Sequence, residues 1–180
     1  MFIDTHAHLN INDYANNLDE IINKAILAGV SKIICVSSNI GESVRSIQIA
    51  RQYSGIVYAA VGVHPQCTDP ENTDSLDDQL DELDRLIFSN TDIVVAIGEC
   101  GLDYTSVIVG ERERQKDEQE KLFVGQINLA LKYNLPILVH CNKAQEDLLR
   151  ILKSKKSDIV GLEYGREDLL LGDLLSGIFH

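Results

Sequence analysis

The sequence predicts an α/β fold of the (β/α)8 TIM-barrel type, and three observations carry this prediction. Short β-branched runs alternate five times with segments of helical periodicity, which is typical of βα units around a parallel sheet. No run is followed by a glycine-rich phosphate-binding loop, which disfavours the alternative of an open, nucleotide-binding doubly wound sheet. Histidine or glutamate ends four of the five runs, and the C-terminal strand ends of a barrel open on one face.

Two βα units are predicted in the first third of the chain. A short apolar strand covers residues 2–5 and runs into the pair His6 and His8. The next strand is the β-branched run at 32–37, as expected of a strand buried on both faces. A helix follows each strand, with apolar residues at helical spacing at Leu18, Ile21, Ile22, Ala25 and Ile26, before Gly29, and at Val44, Ile47 and Ala50.

Three further strands are predicted downstream. They cover residues 56–63, closed by His64, then 92–98, ending at Glu99, and 136–139, ending at His140. The residues from Cys100 to Tyr104 are predicted to form a loop. The intervening helices have their apolar stripes at Leu76, Leu80, Leu83 and Ile87, and, in a helix that begins near Glu111, at Leu122, Phe123, Ile127, Ala130 and Leu131.

The composition indicates one ordinary globular domain over residues 1–180, with 44% hydrophobic and 24% charged residues. A net charge of −12 argues against a broad basic surface for nucleic acid, but it does not exclude nucleic acid held through metal ions in a cleft. The four cysteines form no CxxC pair, which favours reduced, mostly buried thiols. Without a leader or a membrane span, a cytoplasmic protein with no membrane partner is expected.

The histidines and Glu99 together predict a metal site. On a strand, residues i and i+2 share one face, so His6 and His8 can present two imidazoles to one point. A lone HxH pair is weak evidence, but polar residues at successive strand ends are hard to attribute to core packing. Nitrogen and carboxylate ligands without thiolate suit zinc, manganese or magnesium, and a bridging glutamate can hold two ions.

Four motifs extend this pattern, and together they carry a family resemblance. They are MFIDTHAHLN at 1–10, AVGVHPQ at 60–66, AIGECGLDY at 96–104 and NLPILVHCNKAQEDLLRIL at 134–152. Their order and spacing resemble the TatD family of metal-dependent deoxyribonucleases, which belong to the amidohydrolase-like metallohydrolases. The resemblance covers residues 1–152, and residues 153–180 diverge from the family pattern.

The resemblance implies a site with two divalent metal ions, Zn, Mg or Mn, that hydrolyses phosphodiester bonds of DNA. Carried over by position, His6 and His8 are ligands of one ion, and His140 is a ligand of the second. Glu99 is the catalytic bridge between the ions. His180, in a short run that is expected to begin a sixth strand, is a further candidate ligand. His64 is expected to be a substrate-side or structural residue.

The resemblance also implies an incomplete barrel of about six of the eight βα units, because the last two strands and an aspartate that closes the family's metal site have no counterpart. Impaired activity is then expected, with self-association or a separate C-terminal piece covering the exposed strand edges. Two alternatives stay open at this point. The chain could be a non-catalytic or split-gene fragment, or it could hydrolyse an aminoacyl-tRNA ester or another phosphoester.

Overall fold

The computed structural model describes residues 2–66, 75–105 and 115–160, with side chains described as far as residue 155. In these ranges five strands form one parallel sheet in the order β1-β2-β3-β4-β5. The strands are β1 (Phe2–Ala7), β2 (Val30–Val36), β3 (Val57–Val61), β4 (Val94–Asp103) and β5 (Ile137–Asn142).

A helix follows each strand in the described ranges, so the chain repeats βα units as predicted. The helices are α1 (Leu18–Leu27), α2 (Ile40–Gln52), α3 (Leu76–Ser89), α4 (Lys116–Tyr133) and α5 (Gln145–Val160). Their ends carry ordinary stop and start signals. Gly29, with a φ of 93°, follows α1, and Asn39 accepts a hydrogen bond from the Glu42 backbone at the start of α2.

The two faces of the sheet differ, and this difference identifies the fold class. On β2, Ile33 and Cys35 pack in the large core with the helices, whereas Ile34 and Val36 point to the opposite face. That opposite face, here called the inner face, carries a small second cluster of Val36, Ala60, Ala96 and Leu138, with Ile34 packed against it. Strands in strict chain order with helices on one side form the wall of a barrel, because a doubly wound sheet reverses its order and has helices on both sides.

The predicted fold class is therefore confirmed, as a curved wall of five parallel strands. The predicted sixth strand, at residues 176–180, and His180 lie outside the described residues. None of the described helices is long and apolar enough to cross a membrane. Three cysteines, Cys35, Cys100 and Cys141, are free thiols; Cys35 and Cys100 are buried, as predicted for most of the cysteines, and Cys141 is half-buried. Cys67 lies outside the described residues.

The prediction for the end of the fourth strand was wrong. Residues 100–104 were expected to form a loop, but β4 continues to Asp103, in register with β5 at Gly101↔His140 and Asp103↔Asn142. The fifth strand likewise continues past His140 to Asn142. The physical reason is that residues 99–103 alternate between the inner face and the helix core, where Cys100 and Leu102 are buried. Glu99 and His140 thus lie within strands.

Gly101 makes the close approach of β4 and β5 possible beside Glu99. Its φ is 147°, and a Cβ atom built there would lie 1.9 Å from the carbonyl oxygen of His140. Any larger residue would push the two strands apart, so the absence of a side chain lets β4 and β5 pair closely beside Glu99 and His140.

Candidate metal centre

His6 and His8 form the first part of the site. His6 lies in β1 and His8 directly follows it, and both side chains lie on the inner face because Ala7 packs towards the helices. Their Nε2 atoms lie 3.2 Å apart. Two nitrogen ligands at zinc-like bond lengths and tetrahedral angles lie about 3.3 Å apart. The pair therefore fits two ligands of one divalent ion.

Glu99 joins this pair to the rest of the site through its two carboxylate oxygens. Its Oε2 lies 3.7 Å from Nε2 of His6 and 4.0 Å from Nε2 of His8. Its Oε1 lies 3.1 Å from Nδ1 of His140. Each oxygen of a single buried carboxylate therefore faces a different set of imidazoles, which is the arrangement that a bridge between two ions requires.

His140 lies between two carboxylates. Besides the contact of Nδ1 with Glu99, its Nε2 lies 2.9 Å from Oδ2 of Asp103. The other oxygen of Asp103 accepts hydrogen bonds from the backbone N–H and the hydroxyl of Thr105. A histidine that binds a metal through one ring nitrogen typically donates its other ring N–H to a carboxylate. Asp103 occupies that outer position for His140.

His64 approaches the site from the segment after β3. Its ring packs edge-on against His140, with centroids 4.2 Å apart, and by distance alone it could share an ion with Glu99 and His140. However, its Nδ1 lies 3.1 Å from the backbone N–H of Gln66. Because that N–H can only donate, Nδ1 is an acceptor, and the neutral ring carries its proton on Nε2. In this tautomer His64 presents a hydrogen-bond donor and not a metal-binding lone pair.

The charges of the cluster follow from these contacts. Burial by itself raises the pKa of Glu99, but the hydrogen bond with His140 and the nearby imidazoles outweigh it and lower the pKa to about 2. Burial opposes protonation of His140, yet the hydrogen bonds to Glu99 and Asp103 raise its pKa. Burial and the neighbouring His140 lower the pKa of His64 to about 4. Near neutral pH the cluster thus holds ionised carboxylates and a neutral His64.

The protein-family model described as "TatD related DNase" matches residues 3–162 of this sequence. The chain belongs to the TatD family. Among curated TatD relatives, human "Deoxyribonuclease TATDN3" is 33% identical over 183 aligned positions, which cover 98% of this chain and 66% of that protein. The "Uncharacterized metal-dependent hydrolase YabD" of Bacillus subtilis is 37% identical, over 89% of this chain and 58% of that protein.

Another curated relative and two solved structures are also named as TatD proteins. The "3'-5' ssDNA/RNA exonuclease TatD" of Shigella flexneri is 32% identical, over 83% of this chain and 53% of that protein. The crystal structure of YJJV, a TatD homologue from Escherichia coli, superimposes with a TM-score of 0.74 at 30% identity, over 86% of this chain and 56% of that one. A TatD family hydrolase from Entamoeba histolytica gives 0.71 at 31% identity, over 85% and 54%. The chain spans 53–66% of the length of these three curated relatives.

The structure of this TatD chain brings five of the six predicted site residues together, and the sixth, His180, lies outside the described residues. Sequence reasoning missed Asp103, which it placed in a loop beyond the site. A signal for it was present, because Glu99, Gly101 and Asp103 alternate with the apolar Cys100 and Leu102, which is the period of a continuing strand.

A buried polar network connects the segment after His8 with the backbone of Glu99. Asn10, two residues after His8, is 3% exposed, and its side-chain NH2 donates to the carbonyl oxygen of Val36 at 3.0 Å and to Oγ of Ser46 at 2.9 Å. Oγ of Ser46 lies 2.8 Å from Oγ of Ser37. The carbonyl oxygen of Ser37 accepts the backbone N–H of Glu99 at 2.8 Å. This network therefore links the segment of the histidine pair to the backbone of Glu99.

Proposed function

We propose that this chain supplies a two-metal site that hydrolyses phosphodiester bonds of DNA. The observation that carries the proposal is the position of the Glu99 carboxylate, with Oε2 towards His6 and His8 and Oε1 towards His140. The names of the relatives add the substrate class, since they include deoxyribonuclease and ssDNA/RNA exonuclease.

In this proposal each ion has its own imidazole ligands, and Glu99 is shared. His6, His8 and Glu99 would hold the first ion, and His140 and Glu99 would hold the second. Asp103 keeps the remaining ring N–H of His140, which fixes the orientation of the ring. Nitrogen and oxygen ligands suit Zn, Mn or Mg.

The chemical roles divide between the ions and the protein. Bound divalent ions polarise the phosphoryl oxygens and lower the pKa of a coordinated water. Glu99 would supply negative charge to both ion positions. His64, with its proton on Nε2, donates a hydrogen bond towards a phosphate oxygen of the substrate, which is the substrate-side role proposed for it.

A nucleic-acid substrate is compatible with the acidity of the chain. With a net charge of −12, the protein offers little general attraction for phosphates, so the local charge of bound ions has to provide it. The expected mode is therefore insertion of a strand end or a flexible segment into one cleft. Binding along a broad basic surface is not expected. Affinity should then depend on the divalent ion more than on the total salt concentration.

The described part of the chain also has surface that suits a polypeptide partner. Phe2 and Ile3, on the edge strand β1, are 68% and 56% exposed, and Leu27 at the end of α1 is 88% exposed. A second copy of the chain or a separate C-terminal piece would cover these side chains.

The free thiols of Cys35, Cys100 and Cys141 support a reducing compartment, the cytoplasm, as the location.

The test uses the purified chain with Mn²⁺ or Zn²⁺ titrations, followed by nuclease assays on single-stranded and double-stranded DNA. We expect saturable binding of divalent ions and metal-dependent release of nucleotides, both strongly reduced in Glu99→Gln. Glu82→Gln is the matched control, because it makes the same change on the exposed face of α3. Absence of bound divalent ion throughout the titration would refute the metal assignment. Metal binding without DNA cleavage would refute the proposed reaction.

A further inference from the structure

Helix α4 carries two buried glutamines on its sheet-facing side. Gln119 and Gln126 are seven residues apart, which is close to two helical turns, and they are 1% and 0% exposed. The rest of this stripe is apolar, with Leu122, Phe123, Ile127 and Ala130. A leucine would pack there at lower cost, because a buried amide has to find hydrogen-bond partners.

Gln126 pairs with both backbone groups of Val63, two residues after β3. Its Oε1 accepts the N–H of Val63 at 2.8 Å, and its Nε2 donates to the carbonyl oxygen of Val63 at 2.9 Å. Pairing between β3 and β4 stops at Val61↔Ile97, so β4 is not paired with Val63 in the sheet. The side-chain amide of Gln126 therefore provides the hydrogen bonds that β4 does not provide to Val63, the residue directly before His64.

Gln119 likewise pairs with both backbone groups of Asp103, the last residue of β4. Its Oε1 accepts the N–H of Asp103 at 2.9 Å, and its Nε2 donates to the carbonyl oxygen of Asp103 at 2.9 Å. The same carbonyl oxygen also accepts a hydrogen bond from Nε2 of Gln66 at 2.9 Å. The backbone of Asp103 is thus held by side chains, and its carboxylate faces His140.

We propose that Gln119 and Gln126 are positioning residues for the metal centre, each acting through the backbone of one residue at or just after the end of a strand. Gln126 fixes Val63 and so the direction in which His64 leaves the sheet. Gln119 fixes Asp103 and so the carboxylate that orients His140. The proposal rests on the proposed function for its purpose, but the positions of the two imidazoles can be measured without metal or substrate.

The geometry explains why glutamine is needed at both positions. The paired backbone groups are buried, and a buried N–H or carbonyl without a partner costs about 1–3 kcal/mol. An apolar side chain at position 126 leaves both backbone groups of Val63 unpaired. At position 119 it leaves the N–H of Asp103 unpaired and its carbonyl oxygen with Gln66 alone. In either case the local backbone turns to find new partners. The imidazole of His64, the residue after Val63, or the carboxylate of Asp103 moves with it. Such a movement of less than an ångström is enough to disturb a metal ligand or its outer partner.

The experiment compares Gln119→Met and Gln126→Met with Leu122→Met, which places the same new side chain between them on the same stripe. The ring ¹⁵N signals of the histidines are recorded in the metal-free full chain. We expect Gln126→Met to displace the signals of His64 and Gln119→Met to displace those of His140. Both displacements should exceed any change in Leu122→Met, and the signals of His6 should stay in place in all three variants.

A second measurement in the same variants is Mn²⁺ affinity. Gln119→Met should weaken binding about tenfold, as loss of an outer partner does at other metal sites. Leu122→Met should bind as the wild type does. If a methionine variant does not fold, the glutamate variant of the same position replaces it, since it keeps the length and one acceptor oxygen but loses the donor.

The outcomes separate this proposal from the proposed function. Ring signals of His64 and His140 that move no further than in Leu122→Met would overturn the positioning role. Displaced ring signals in a protein that binds no divalent ion would support the positioning role and refute the metal centre. Displaced signals together with weakened Mn²⁺ binding would support both.

Discussion

Nε2 of His140 lies 2.9 Å from Oδ2 of Asp103, at the paired ends of β4 and β5. Nδ1 on the opposite side of the ring faces Glu99 at 3.1 Å. The imidazole therefore lies between two carboxylates. Glu99, on the inner side, also faces His6 and His8, and Asp103 lies on the outer side. The two carboxylates have different consequences for metal binding, which substitutions can separate.

Glu99→Gln should reduce metal binding more than Asp103→Asn does. The first change removes the shared charge from both ion positions, so we expect the number of bound ions to fall. The second leaves all proposed ligands in place and weakens only the orientation of His140, by about ten- to a hundredfold in affinity. Titration of both variants with Mn²⁺, with the stoichiometry fitted separately from the affinity, checks this. Equal losses in the two variants would contradict the assignment of Glu99 as the bridge.

The pH dependence of the metal-free chain should reflect His140. Its pKa is raised above 6.5 in the folded state by Glu99 and Asp103. A raised folded pKa contributes stability that is fully present below the unfolded value and is lost as the pH rises through the folded value. With EDTA present, the melting temperature should therefore fall as the pH rises above about 6.5.

Divalent ions provide the control for this prediction. They replace the imidazolium as the positive charge beside Glu99, so Mn²⁺ should restore the melting temperature most at alkaline pH. The Glu99→Gln variant should show a weaker loss with rising pH, because one of the two carboxylates that raise the pKa of His140 is gone. A melting temperature that stays constant from pH 6 to pH 9 without metal would contradict the assigned cause.

Gly101→Ala should destabilise the protein by about 3 kcal/mol or more, since the new Cβ would lie 1.9 Å from the carbonyl oxygen of His140. Gly55→Ala is the matched control. Gly55 also has a positive φ, of 81°, but nothing lies within 4 Å of the built Cβ. Only backbone strain of about 1–2 kcal/mol is expected there. Urea unfolding of the two variants gives the difference, and equal losses would show that strand spacing at Gly101 is not the constraint.

The order of the elements and most of the site could be predicted from the sequence because both depend on local patterns. The runs of β-branched residues located the five strands of the described ranges, and polar residues after apolar runs indicated Glu99 and His140. What could not be predicted was the length of β4, because its extension depends on pairing with β5 and on Gly101, a contact between residues far apart in sequence.

The same limit applies to the roles of polar residues within the helices. Gln119 and Gln126 stand on an apolar stripe, and the sequence alone does not show which backbone groups lack a strand partner. Likewise, the GVHP motif indicated His64, but its tautomer follows from one contact with the N–H of Gln66. These features depend on tertiary positions and not on residue spacing.

Asn10→Asp should be costly, although the two side chains have nearly the same shape. Nδ2 of Asn10 donates to Val36 and Ser46, and oxygens of Ser37 and Glu42 lie within 3.5 Å of it. An aspartate would place a buried carboxylate oxygen against carbonyl and hydroxyl oxygens, with a cost of about 3 kcal/mol. Urea unfolding should show this loss, and Mn²⁺ binding should weaken as well, because the network reaches the backbone of Glu99 through Ser37.

The same substitution two residues later is the control. Asn12 is exposed and its Oδ1 accepts a hydrogen bond from Arg45 at 3.1 Å, so Asn12→Asp creates an exposed ion pair that changes stability by less than about 1 kcal/mol. A loss in Asn10→Asp no larger than that in Asn12→Asp would show that the network is not needed for stability. A loss of stability with unchanged Mn²⁺ affinity would instead show that the network supports the fold and not the position of Glu99.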